Sequence, residues 1–308
     1  MLQNAYDLFP SFLERSGDRP ECCVKAQTAR RSESEEKFDH LVAKTQESFG
    51  YQWTTFSEMV CDFRENFLNY LSPATPEFFR GRLGLDAGCG VWQAYLSRCF
   101  LWSGDGRGGP QPGHRRYVHN TKHFPNVHMV QADMYATPFA QETFDFVYCI
   151  GVLHHLPDPP RGLRAPVPLL KSNGSLFLWL YSKNRRVSNF VVELLRTLTI
   201  HLPYPFLKKI SFLGAILDQY AFILPYQTMG RIPGVERAFE KIVPARIKIY
   251  SRYPFQVLQA DWFDRLAAPI RVYFTQQGVD GSMHPVGLSD IRITSTGRYG
   301  WRGCGITR

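Results

Sequence analysis

No C-x-x-C pair occurs in this 308-residue chain, so a zinc ribbon has no ligand set to build on. The seven cysteines (Cys22, Cys23, Cys61, Cys89, Cys99, Cys149 and Cys304) are odd in number, which argues against a secreted disulfide framework. No metal-ligand spacing stands out, so no metal is expected. A basic region followed by an apolar core and a small-residue cleavage site is also missing from the N-terminus, so a cytoplasmic protein without a signal peptide is expected. Uninterrupted apolar runs are absent as well. The longest apolar stretch, 187–226, is broken by Arg196, His201, Pro203, Lys208, Lys209 and Asp218, so no membrane-crossing helix is expected. Finally, the formal charge of +9 is not gathered into a Lys/Arg run. A solvated basic surface is the simpler expectation, and nucleic acid is not an expected partner.

What is present is an ordinary globular composition, 44% hydrophobic and 20% charged, organised around one stretch. Leu83, Gly84 and Leu85 approach an acid, Asp86, and the chain opens at once into Ala87-Gly88-Cys89-Gly90. A buried strand that ends in a glycine turn lets a ligand touch main chain that a Cβ would block. The dinucleotide pattern G-x-G-x-x-G is not completed, because its third position is Gln93. Downstream, 124–130, 144–150 and 175–180 are apolar strand-like segments, separated by helix-length links such as 160–170 and a turn at 171–174. Strands that alternate with helices predict an α/β fold: a Rossmann-like, doubly wound, mostly parallel sheet with helices on both faces. At the C-terminal end a helix over 276–285 precedes strands 290–295 and 300–307 around Gly297. Their short connection makes that pair antiparallel.

The expected organisation is a loosely ordered arm over 1–45, a helical cap over 46–80, the ligand-binding core over 81–182, a helical insertion or lid over 183–253, and a sheet-completing segment over 254–308. Phe56, Phe63, Phe67 and Tyr70 are spaced for one helical face closed by Ser72-Pro73. Tyr51 and Trp53, beside Gly50, are expected in a turn that covers a ligand.

Four blocks in order resemble the motifs of class I S-adenosylmethionine-dependent methyltransferases. Leu85 to Gly90 is similar to the first motif, and Gln131-Ala132-Asp133-Met134 with Pro138-Phe139 to the adenine-contacting one. Phe144 to Val147 running into Gly151-Val152-Leu153-His154-His155-Leu156 resembles the fourth strand and its turn. Leu169-Leu170-Lys171 with Asn173-Gly174-Ser175-Leu176 resembles the approach to the fifth. The nearest subgroup is the small-molecule class that includes ubiquinone/menaquinone-type methyltransferases. The resemblance implies S-adenosylmethionine as cofactor. Asp86, Ala87, Gly88, Cys89 and Gly90 would hold its methionine end, Asp133 and Met134 its adenine, and Ile150 and Gly151 would border the sulfonium. His154 and His155 are the candidate catalytic residues, as general base or as orienters of the loop; methyl transfer to an activated nucleophile mainly needs positioning and desolvation.

This chain departs from that pattern in two places. Trp92 stands where the motif's third glycine is usual. Residues 91–102 read as a helix, and 103–113 hold five glycines and two prolines, so the second strand and its ribose-binding acid have no evident place, Asp105 being the one acid nearby. A translated frameshift across 91–120 would explain this, as would a divergent loop. The expected function is methyl transfer to a small, apolar or lipid-linked acceptor; the alternatives are a methyltransferase fold with an impaired cofactor site and a nucleic-acid methyltransferase. Against the last, the Asp/Asn-Pro-Pro-aromatic turn is missing after the fourth strand. The aromatic insertion, with Lys208 and Lys209, admits a lid, a peripheral membrane contact or a dimer face.

Overall fold

The computed structural model describes residues 33–56, 64–88, 98–102, 127–130, 134–135, 138–229, 232, 234, 243, 245–297 and 299–308. A seven-stranded sheet forms its centre, in the order β3-β2-β1-β4-β5-β7-β6. The strands are β1 (Leu83–Ala87), β2 (Arg98–Trp102), β3 (Val127–Val130), β4 (Phe144–Ile150), β5 (Leu170–Tyr181), β6 (Leu288–Thr296) and β7 (Gly300–Thr307). The first five run parallel, and β7 joins β5 and β6 antiparallel. This is the doubly wound, Rossmann-like sheet that the alternating pattern predicts. The chain reverses its winding between β1 and β4, the place where open α/β sheets bind ligands beyond their strand ends.

Helices cover both faces because each strand alternates its side chains. Leu85, Val147, Cys149, Leu176, Leu178 and Leu180 point to one face. There they pack with α4 (Pro159–Arg164) and α10 (Gln276–Met283), through Leu163, Val279 and Met283. Two caps fix those helices: Asp158 accepts from Arg161 N at 3.0 Å, and Thr275 accepts from Gly278 N at 3.0 Å. The other face carries Phe146, Tyr148, Ile150 and Phe177 against α2 (Arg64–Leu71) and α3 (Pro76–Phe79), through Phe67, Leu71 and Phe79. Each such fully buried side chain contributes about 1.5–3 kcal/mol. Close packing explains Gly84, where a Cβ would lie 2.0 Å from the Phe146 ring.

Beyond the sheet lies a helical unit: α5 (Arg186–Thr199), α6 (Tyr204–Asp218), α7 (Leu224–Met229), α8 (Ala245–Tyr250) and α9 (Phe255–Ala267). A π-helical turn, Gln219–Ile223, joins α6 to α7. Long α1 (Glu33–Thr55) docks on this unit. Ser48 Oγ donates to Ala267 O at 3.0 Å, and Tyr51 stacks between Tyr204 and Phe263, with centroids at 5.2 and 5.5 Å.

Several expectations are corrected here. The second strand exists, as Arg98-Cys99-Phe100-Leu101-Trp102, parallel to β1 with Leu83 opposite Arg98. A helix over 91–102 is therefore replaced at its C-terminal end by strand, and a lost strand no longer motivates the frameshift idea. The arm over 1–45 contains the first half of α1, whereas 1–32 lie outside the described residues. Phe56 and Phe67 do not share a helix, since α1 ends at Thr55 and α2 begins at Arg64. The 171–174 turn is a bulged part of β5, where Asn173 takes a φ of 62°. The helical unit continues through Ala267, because α9 supplies the floor on which α5 and α6 rest.

Candidate active site

Asp86 ends the apolar run of β1 and points to the α2/α3 face with Gly84, opposite Tyr148 in register. It is 1% exposed, and neither carboxylate oxygen has a hydrogen-bond partner among the described residues. Burial therefore drives its pKa well above the usual carboxylate range; the Tyr148 hydroxyl, close by but outside hydrogen-bond geometry, offsets this only in part. A buried, unpartnered carboxylate is costly unless a cation completes it. Immediately beyond, Gly88 turns with a φ of 100° under Val152, which a Cβ at Gly88 would strike at 2.4 Å. Gly151, with a φ of 77°, makes the matching turn after β4, and there a Cβ would meet open space.

A cavity lies beyond the second turn, although Asp86, Gly88, Ile150 and Gly151 do not line it. Gly151 N donates to Trp179 O at 3.3 Å, and the Trp179 ring lines a cavity of about 560 Å³ between the sheet and the helical unit. Register brings its floor together: Ile150 lies opposite Trp179, which lies opposite Arg302 on β7. Tyr181, two residues on, donates its hydroxyl to Asp264 Oδ2 at 3.1 Å, which also accepts from Arg271 at 3.1 Å. The Nε of Arg271 and that of Arg302 are buried without an acceptor among the described residues, and both residues wall the cavity. From the helical side, Arg185, Ser188, Asn189 and Val192 close it.

His154 and His155 sit behind this wall and do not line it. His154 is fully buried, stacked 3.7 Å from the Tyr181 ring, with both ring nitrogens unpartnered among the described residues. Burial, then the charges of neighbouring His155 and Arg271, hold its pKa well below the ordinary imidazole value. The Nδ1 of His155 meets Ile270 O at 2.7 Å; in the neutral tautomer this nitrogen is the donor. Burial lowers its pKa to about 4. Both rings are thus neutral near pH 7. They brace Tyr181 and the loop carrying Arg271, and neither is placed as a base facing the cavity.

The other expected site residues fare unequally. Asp86, Gly88, Ile150 and Gly151 are brought together at the ends of β1 and β4, whereas Ala87 and Met134 are buried in the core on the opposite face. Cys89, Gly90, Trp92, Asp105 and Asp133 lie outside the described residues. Tyr51 and Trp53 are in α1, not in a turn; Tyr51 is packing for the helical unit and the Trp53 ring lies tilted against Phe49 at 5.5 Å. The sequence reading missed Tyr181, Arg271 and Arg302. A basic or aromatic residue closing an apolar strand, as Tyr181 closes β5, was the available signal.

Residues 110–178 match a family model described as a methyltransferase domain. Over 114 residues the chain is 32% identical to an uncharacterized protein of Synechococcus, a match that covers 35% of this chain and 27% of that protein. Among solved structures it is similar to the Burkholderia thailandensis 1,6-didemethyltoxoflavin-N1-methyltransferase with bound S-adenosylhomocysteine (10% identity, 91% of this chain and 92% of that one, TM-score 0.46). It is also similar to human N-acetylserotonin methyltransferase in complex with S-adenosylmethionine (12% identity, 90% and 60%, TM-score 0.44).

Proposed function

We propose that the chain is an S-adenosylmethionine-dependent methyltransferase acting on a small, apolar or lipid-linked acceptor with an oxygen-rich or anionic head. The carrying observation is Asp86: a buried carboxylate without a partner, beside two glycine turns at the reversal point of a doubly wound sheet. An ammonium is the partner such a carboxylate lacks, so the residues fit the methionine end of the cofactor. Asp86, Gly88 and Gly151 would hold it. When bound, the cofactor supplies an electrophilic methyl group.

The chain's own part is to bind, orient and exclude water. The cavity beside Trp179 takes the acceptor, and the guanidinium groups of Arg271 and Arg302 in its wall set positive charge against the acceptor's oxygens. Tyr181 is fixed by Asp264 beneath and His154 behind, so the wall is rigid before the acceptor arrives. The methyl would pass to the acceptor as its bond to the cofactor's sulfur breaks, the bonding pair staying on a neutral thioether, and the acceptor's proton would go to bulk solvent; two neutral histidines behind the wall are not required for this.

Isothermal titration with S-adenosylmethionine and with its demethylated product tests this reading. Micromolar binding that is lost in Asp86→Asn supports it. A folded protein that binds neither compound overturns it in favour of an impaired cofactor site.

A further inference from the structure

α5 has two working faces. Arg185, Ser188, Asn189 and Val192, spaced three and four apart, line the cavity. Val187, Phe190, Leu194 and Leu198 follow the same spacing two residues out of step, which at 100° per residue sets them on the opposite side. They are exposed by 79, 69, 58 and 73%. α6, the π-helical turn and α7 continue the pattern with Phe206, Leu213, Leu217, Tyr220 and Leu224. Of the seventeen large hydrophobic side chains found exposed among the described residues, fourteen lie between Val187 and Met229. An apolar surface this concentrated marks a place where something other than water is met.

Charge selects what it meets. Between 183 and 229 the exposed ionic side chains are Lys183, Arg186, Lys208 and Lys209, all basic, together with the partly exposed Glu193. Both acids of that span are already paired within the chain, and Asp218 is buried. Glu193 accepts from Arg196 and from the Tyr273 hydroxyl, and Asp218 accepts from Trp262 Nε1 at 2.8 Å. A second copy of the chain would bring like charges against one another across a two-fold contact. An anionic bilayer opposes them with phosphates while its acyl region takes the aromatic and aliphatic side chains. No helix among the described residues is long and apolar enough to cross a membrane, which leaves the plane of the interface.

We infer that the outer faces of α5, α6 and α7 dock on an anionic lipid surface. Docking sets the outer side of the cavity wall against the bilayer, which suits the lipid-linked acceptor class of the proposed function but does not depend on that reading. The full-length protein is sedimented with phosphatidylcholine vesicles and with mixed phosphatidylcholine–phosphatidylglycerol vesicles. Binding is expected to the mixed vesicles and to be salt-sensitive. Lys208→Glu with Lys209→Glu should weaken it about tenfold or more, given about 1 kcal/mol per basic residue near the surface. Phe190→Ser, Leu194→Ser and Leu198→Ser together should abolish it while melting temperature and cofactor titration stay unchanged, since all three side chains are exposed. Failure of the wild type to bind mixed vesicles overturns the inference. So does undiminished binding of the triple serine variant. A stable dimer by light scattering that the triple variant dissolves also overturns it, in favour of a second copy. Loss of cofactor binding with vesicle binding intact would sink the methyltransferase reading alone.

Discussion

On β4, Phe144, Phe146, Val147, Tyr148 and Ile150 are all buried; on α5, Val187, Phe190, Leu194 and Leu198 are all exposed. The two regions draw on the same kinds of residue, so composition does not separate them. What separates them is layering. The sheet has helices on both sides, so the apolar side chains of β4 and the centre of β5 find partners on each face. The helical unit has one floor, α9, and its outer face has no second layer among the described residues. The sheet half is therefore built for stability in water, whereas the outer half of the helical unit is built to meet another surface.

Stability measurements would break or sharpen that contrast, the largest effect first. Phe146→Ala, which empties a site between Phe78, Phe79 and Tyr148, should cost about 3–5 kcal/mol in denaturant unfolding. Phe190→Ala, the same chemical change on the exposed face, should fall within about 0.5 kcal/mol of wild type. Equal losses at the two positions would refute the contrast.

Titration comes next. His155 has a folded pKa of about 4, below its unfolded value, so protonation favours the unfolded chain. Its stability contribution is complete above the unfolded pKa and is lost as pH falls toward 4, a difference of about 3 kcal/mol. His154 is shifted in the same direction. Unfolding free energies measured between pH 7 and 4 should fall accordingly, and His155→Gln should flatten the fall. Asp86 acts with the opposite sign. Its raised folded pKa means that stability present in acid is lost as pH rises above the ordinary carboxylate range. Asp86→Asn should therefore stabilise the cofactor-free protein near pH 7 by about 1–3 kcal/mol, read as a higher melting temperature, while abolishing cofactor binding. A more modest effect is expected for Tyr181→Phe, which removes the bond to Asp264 and should cost about 1 kcal/mol in denaturant unfolding.

The sheet was legible because strands announce themselves locally. Phe144–Ile150 and Gly300–Thr307 have the bounds that alternation and flanking glycines suggest. Asp86 with its glycine turn was legible for the same reason. β2 was not: five residues followed by a glycine–proline tract carry too little periodicity, and only pairing with β1 and β3 makes them a strand. Tyr51 looked like a loop residue because Gly50 precedes it, yet stacking on Tyr204 and Phe263 holds that part of the chain helical. The cavity wall was least visible of all. Trp179, Tyr181, Arg271 and Arg302 meet only through strand register and a loop that returns from α9, and no short window of sequence contains that information.

The two stripes of α5 share no residue. Substitutions that retune what the cavity accepts, at Ser188, Asn189 or Val192, leave the outer surface untouched, and changes at Val187, Phe190, Leu194 or Leu198 leave the cavity untouched. A lineage carrying this helix can alter the cavity and the outer surface separately, one point mutation at a time.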